Sequence, residues 1–300
     1  MISITETLGV DLSQISRRVS TLVELTKPRL VSMILITTSA GFYIASSQPL
    51  NWLQLIHTIV GTGLSAAGVL ALNQYLERDL DAQMVRTCHR PLPDQRLQPT
   101  TALFFGVLLT VSGLLYMAFS VNTLGALVIS AIVVTYLFVY TPLKQKTSLC
   151  TVAGAFPGAL PPVIGWVAAR GTLNIEAWVL FAILFLWQLP HSLSIAFIYR
   201  EEYAQAGFRL LPVIHPDGKS TNRQIVINCL GLLVVALLPT LIGIAGIVYF
   251  FAALTLSIIF LGFGINLSIS RSTVAAKRLL YASLIYLPLV FLVMALDRLA

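Results

Sequence analysis

Nine apolar runs, each long enough to cross a bilayer, divide this chain at roughly 30–47, 53–75, 101–119, 122–140, 149–169, 175–198, 228–246, 248–267 and 279–296. Only Ser120–Val121–Asn122 and Ala245–Gly246–Ile247 separate the third run from the fourth and the seventh from the eighth. Each combined stretch is too long for one crossing, so each pair reads as a tight helical hairpin. Charged residues make up 10% of the chain, against about 25% in a soluble domain. The expected fold is an all-α polytopic membrane protein. A single nine-helix membrane domain covers 27–300, behind an N-terminal segment 1–26.

The basic residues predict an orientation. With the N-terminus in the cytoplasm, inner segments hold 17 of the 19 Lys and Arg residues, and only Arg170 and Arg298 fall outside. That bias predicts an N-in, C-out topology. The net charge of +7 is then accounted for by basic loops facing anionic lipid, without nucleic acid. No early apolar run precedes a small-residue cleavage site, so no cleavable signal peptide is expected. Leu12, Ile15, Val19 and Leu22 recur at helical spacing around Arg17 and Arg18, which suits a helix lying on the membrane surface; a flexible tail would carry the same residues. Cys88, Cys150 and Cys229 lie far apart without a CxxC, so neither a disulfide framework nor a zinc site is suggested.

One stretch interrupts the apolar pattern. Residues 73–93 read NQYLERDLDAQMVRTCHRPLP, three acids and three arginines directly after a run without a formal charge. Asn73, Glu77 and Asp81 recur at i, i+4 and i+8, which places all three on one stripe of a helix; Asp79 falls on the opposite side. An amide and two carboxylates suit a hard divalent cation such as Mg²⁺, which is held by one or two carboxylates together with substrate phosphates. Arg86 and Arg90, just downstream, suit the grip on a diphosphate. The same residues would also suit a solvated helix end whose charges merely pair.

A second acidic cluster follows the sixth run, an even number of crossings later and so on the same side: YREEYAQAGFRLLPVIHPDGK, 199–219. Glu201 and Glu202 here, with Glu77 and Asp81, suggest two metal positions around one diphosphate. Inside the sixth run, Pro190 removes a backbone hydrogen bond, and His191 is an ionisable residue within a span, a functional candidate by default. Its imidazole suits metal ligation or a hydrogen bond, including one to a carbonyl freed by the proline. Gly154, Pro157, Gly158, Pro161, Pro162 and Gly165 crowd the fifth run, as in a broken helix lining a cavity or a tightly packed one. Trp166, Trp178 and Trp187 suit stacking on a flat ligand, though tryptophans near span ends usually mark the membrane interface; of the three, Trp187 is the candidate for stacking.

These segments resemble the two acidic motifs of the UbiA-type intramembrane prenyltransferases. Three further stretches are similar to one branch, the protohaem IX farnesyltransferases or haem O synthases: TKPRL at 26–30, TPLKQKTSLCTVAGAFPGALPPVIGW at 141–166 and FLWQLPHSLSIAF at 185–197. The resemblance runs from about residue 20 to 290. It implies a nine-helix bundle around a membrane-open cavity that binds farnesyl diphosphate with Mg²⁺, takes haem B as acceptor, and supplies haem O for terminal oxidases. A bacterial cytoplasmic membrane, with the acidic motifs facing the cytoplasm, is the implied setting. Haem A synthase or oxidase assembly factors are the implied downstream partners. By the same resemblance Asn73, Glu77, Asp81, Glu202 and Tyr203 carry catalysis, Arg86, Arg90, Lys144, Lys146, His191 and Trp187 bind substrate, and Glu77, Asp81, Glu201 and Glu202 hold metal. Glu77 and Glu202 stand where many relatives carry Asp, and Arg209 where a proline is common. Other readings are a UbiA-type enzyme acting on a hydroxybenzoate or quinone precursor, and a membrane transporter. A transporter would place polar sites near the bilayer midplane; here they gather at one end.

Overall fold

The computed structural model describes residues 12–299, so residues 1–11 of the expected N-terminal segment lie outside it. Among the described residues, nine helices are long and apolar enough to span a membrane: Pro28–Ala45, Trp52–Asp81, Pro99–Ser120, Thr123–Leu143, Cys150–Arg170, Ile175–Ile198, Lys219–Leu241, Ile247–Ser270 and Thr273–Leu296. They are called the first to ninth spans below.

Local signals set the span starts. Asn51, Asn122 and Ser272 each accept a backbone N–H three residues on, at 3.0, 2.7 and 3.2 Å, satisfying donors that a helix N-terminus leaves free. Pro28 and Pro99 open the first and third spans, where a missing N–H costs nothing. The helices extend beyond the apolar runs that announce them. The second continues to Asp81, the seventh begins at Lys219 rather than near 228, and the ninth at Thr273 rather than near 279. Hydropathy marks where lipid begins, not where hydrogen bonding stops. Thr221, Asn222 and Ile225 in the seventh span's first turns are buried in protein and prolong it.

The fifth span lies innermost, with 72% of its apolar window buried. It breaks at Ala159–Leu160, between helices Cys150–Gly158 and Pro161–Arg170, as its Gly/Pro content predicts. Its second half packs on the first span so closely that a Cβ on Gly165 would overlap the Thr38 carbonyl, and one on Gly41 would overlap Pro162. Gly68 and Gly113 play the same part between the second and third spans, against Thr110 and Ser65. Small residues therefore set the helix spacing. The largest core cluster joins Ile164, Leu180, Ile183, Leu232, Phe260 and Leu279. Phe104, Phe119 and Ile269 point outward at 75, 86 and 79% exposure, the apolar outer surface an integral membrane protein presents to lipid.

The N-terminal helix, Leu12–Leu25, leaves Ile15, Val19 and Val23 exposed alongside Arg17 and Arg18. Its end is fastened to the bundle. Gln74 Nε2 donates to the Leu25 carbonyl at 2.6 Å, and Arg96 grips Glu24 with two bonds of 2.7 and 2.9 Å.

Candidate active site

Asn73, Glu77 and Asp81 do lie on one helix, and all three are buried, at 2, 5 and 2% exposure. Asp79, on the opposite side, has an 83% exposed side chain. The solvated helix end is therefore excluded. Buried carboxylates need partners, and each has one. Lys144 Nζ donates to Glu77 Oε1 at 2.6 Å, and Arg90 Nη1 to Asp81 Oδ2 at 2.5 Å. Asn73 donates from Nδ2 to Thr141 Oγ1 at 3.2 Å, while its Oδ1 faces Lys27 Nζ at 3.5 Å.

Lys144 reaches Glu77 through an irregularity that hydropathy does not reveal. Residues Thr135–Tyr140 of the fourth span form a π-helical turn, a widened turn that frequently occurs at functional sites. Across it Thr141 Oγ1 donates to the Tyr136 carbonyl five residues back, at 2.8 Å, which fixes the hydroxyl that receives Asn73. Lys144 Nζ sits 4.5 Å from the centroid of the Tyr140 ring. Burial opposes the Lys144 charge, but Tyr140 and Glu77 favour it and prevail, so its pKa moves upward.

The second acidic motif closes over this end of the bundle. Gly207, at φ 75°, takes a left-handed turn that glycine adopts without strain, after which Phe208 is buried with Met84 and Ala206, packed against Tyr203. Tyr203 OH accepts from Arg86 Nη2 at 2.9 Å, and Glu202 Oε2 accepts from the Arg86 backbone N–H at 3.3 Å. Arg86 and Arg90 thus serve different partners: Arg90 holds Asp81, and Arg86 ties the first motif to the second. Arg209 N–H donates to the Lys144 carbonyl at 2.8 Å. A proline at 209 has no N–H for that bond, so here the departure from the common pattern steadies Lys144. Glu201 and Lys146 are exposed, and among the described residues their side chains make no ion pair.

Lys27 was not among the residues singled out from the sequence. It occupies the left-handed region (φ 52°, ψ 62°) directly before Pro28, a conformation strained by about 1–3 kcal/mol for a residue other than glycine. Its pKa is pulled down to about 7, first by desolvation and then by Arg90 and Lys144. A polyanion entering here would restore its charge. Four cations (Lys27, Arg86, Arg90, Lys144) therefore gather at the rim, with two buried carboxylates and an amide. Among the described residues no three His, Cys, Asp or Glu side chains form a ready metal cage. Two carboxylates fit Mg²⁺ all the same, because that ion completes its shell with waters and phosphate oxygens.

On the sixth span, His191 and Trp187 meet the ninth span. His191 Nδ1 lies 2.7 Å from Ser283 Oγ, and Trp187 Nε1 donates to the Ser283 carbonyl at 2.9 Å. The two rings stack with centroids 4.9 Å apart. His191 is thus bonded to a hydroxyl rather than to a carbonyl freed by Pro190.

Residues 34–294 match the UbiA prenyltransferase family. A protoheme IX farnesyltransferase of Solibacter usitatus (strain Ellin6076) is 48% identical over 285 residues, covering 92% of this chain and 98% of the relative. Among solved structures, a digeranylgeranylglyceryl phosphate synthase aligns with a TM-score of 0.80 at 18% identity, covering 93% of this chain and 98% of that one. A UbiA homologue from Archaeoglobus fulgidus, bound to DMAPP and Mg²⁺, aligns at 0.65 with 17% identity, covering 91% and 99%. At such identities these two establish a shared fold. The match across almost the whole bundle, and a relative of nearly one-half identity, show that this chain belongs to the UbiA prenyltransferase family.

Proposed function

We propose that this chain transfers the farnesyl group of farnesyl diphosphate to a vinyl group of haem B, giving haem O and diphosphate. The supporting observation is the pair of buried carboxylates, Glu77 and Asp81, each held by a cation at one rim of an apolar bundle. The identity of nearly one-half to a protoheme IX farnesyltransferase supports haem as acceptor. The UbiA homologue bound to DMAPP and Mg²⁺ supports a metal-dependent prenyl diphosphate donor.

In this reading the rim cations receive the diphosphate. Lys144 and Arg90 release part of their hold on Glu77 and Asp81 to meet it, with Lys27 and Arg86 on either side. Mg²⁺, held by Glu77 and Asp81 with Asn73 and Glu202 nearby, would add Lewis-acid neutralisation of the leaving group. The farnesyl C–O bond breaks and its electron pair departs with the diphosphate, where preorganised cations stabilise the charge. The vinyl π pair forms the new C–C bond. Water adds to the remaining cationic carbon and loses a proton, which leaves the hydroxyethylfarnesyl group. Tyr203 holds Arg86 in place, and His191 and Trp187 lie where the porphyrin would bind. Glu201 and Lys146, exposed in the free chain, would serve as outer ligands once diphosphate and metal are bound.

We further place the chain in a bacterial cytoplasmic membrane, N-terminus inward, with the acidic rim on the cytoplasmic side. The N-terminal helix would rest on that surface, and haem O would pass to haem A synthase or an oxidase assembly factor. The basic loops support this orientation.

Purified protein given haem B, farnesyl diphosphate and Mg²⁺ is expected to yield a hydroxyethylfarnesyl haem by mass spectrometry. A chelator should abolish that product and added Mg²⁺ restore it. Unchanged haem from folded protein would overturn the acceptor assignment. Lys27→Met is expected to lower kcat/KM for the diphosphate about 10- to 100-fold, the worth of one hydrogen bond to a charged group. An unchanged value would remove Lys27 from the diphosphate site.

A further inference from the structure

We propose that Ser283 is a positioning residue: it holds His191 as the Nδ1–H tautomer and so presents the Nε2 lone pair, on a ring braced by Trp187, to the iron of the haem substrate. The inference rests on haem being the acceptor.

Proton counting carries it. Ser283 Oγ lies 2.6 Å from the Leu280 carbonyl and 2.7 Å from His191 Nδ1. A hydroxyl has one proton, and a carbonyl oxygen can only accept. The Ser283 proton therefore goes to Leu280, and the serine offers His191 a lone pair. Nδ1 must then be the donor. In a neutral imidazole that leaves Nε2 unprotonated, the form that ligates metals. Nε2 has no hydrogen-bond partner among the described residues, and it is not one of the fully enclosed polar atoms. Its lone pair is therefore uncommitted within the described chain.

A simple tie between helices would not require this arrangement. A serine without the Leu280 contact could donate to Nδ1 just as well, which would place the imidazole proton on Nε2 and block coordination. Here one residue fixes both rings: the Ser283 hydroxyl takes the imidazole and its carbonyl takes the indole. Ring stacking removes the remaining rotation of His191. Partners of this kind set the tautomer and direction of metal-binding histidines. The depth also suits a haem beside a prenyl donor. His191 stands seven residues from the end of the sixth span, roughly 10 Å along the axis. Asn73 stands eight residues from the same end of the second span, roughly 12 Å along it.

The full chain, labelled with ¹⁵N-histidine and free of haem, should give a His191 signal, assigned by its loss in His191→Gln, with the proton on Nδ1. An Nε2–H signal would overturn the proposal whatever the acceptor is. Ferric haem B titrated into the wild type should show the optical and electron-paramagnetic signature of an axial imidazole. His191→Ala should lose it, and added imidazole should restore it. Ser283→Ala should weaken haem binding about tenfold or more, and Ser283→Thr, which keeps the hydroxyl, should recover most of it. Wild-type affinity and spectrum in Ser283→Ala would overturn the positioning role, as would an axial signature that survives in His191→Ala. Failure of the acceptor reading looks different: the Nδ1–H signal persists while mass spectrometry finds no prenylated haem.

Discussion

Glu77→Gln and Asp81→Asn each lower turnover by at least about 10²–10³-fold, the loss typical when one preorganised charge partner of a transition state is removed, and each variant still inserts into the membrane. Stability must be separated from chemistry, because each carboxylate also neutralises a partly buried cation. Glu77→Gln leaves Lys144, whose side chain is 14% exposed, without its counter-ion. Breaking one partner of a buried pair destabilises by about 3–5 kcal/mol. Replacing both charges should restore much of that stability, since the neutral pair leaves no uncompensated charge buried. The double variant Glu77→Gln/Lys144→Met is therefore expected to melt closer to the wild type than Glu77→Gln does, yet to stay inactive. Thermal melts in detergent and the haem product assay read the two quantities separately. Near-normal turnover in both single carboxylate variants would remove the metal-site assignment.

The acidic stripe was legible because helical periodicity alone places residues four apart on one face, and no long-range contact is needed to see it. The length of the apolar runs gave the nine spans, with ends that ran short because polar turns remain helical wherever protein covers them. What sequence spacing does not carry is which distant residue meets the stripe. Lys144 is 67 residues from Glu77, and it arrives there by way of a π-helical turn that no composition signal marks. Lys27 was visible only as part of TKPRL. Its left-handed backbone before a proline, the feature that turns it toward Asn73, belongs to the folded chain.

Arg86 and Arg90 show how much of a partner's identity sequence proximity leaves out. Spaced by four, they suggested one paired grip on diphosphate. The chain between them is a series of turns rather than a helix, so the two guanidinium groups diverge, one to Asp81 and the other to the Glu202–Tyr203 motif. Ser283 left no trace at all. A lone serine in an apolar run usually bonds its own helix, and Ser283 does so through Leu280; only the position of His191, 92 residues earlier, gives its remaining lone pair a role.

Gly165→Ala should be the most damaging single-methyl change away from the site. Overpacking a close-packed core costs about 1–3 kcal/mol, and here the neighbour is the Thr38 carbonyl and the Phe42 backbone, which no rotamer change can move aside. The first and fifth spans would have to separate. Because the first span begins at Pro28, directly after Lys27, separation also shifts a cation of the rim, so a loss of diphosphate affinity should accompany the lower melting temperature. Gly262→Ala supplies the control. Nothing lies within 4 Å of its added methyl, and alanine improves helix propensity by about 0.8–1 kcal/mol, so this variant should melt at or above the wild-type temperature and keep full activity. Equal melting temperatures for the two variants would mean that the bundle tolerates a wider spacing at its centre, and that the first span can move without disturbing the rim.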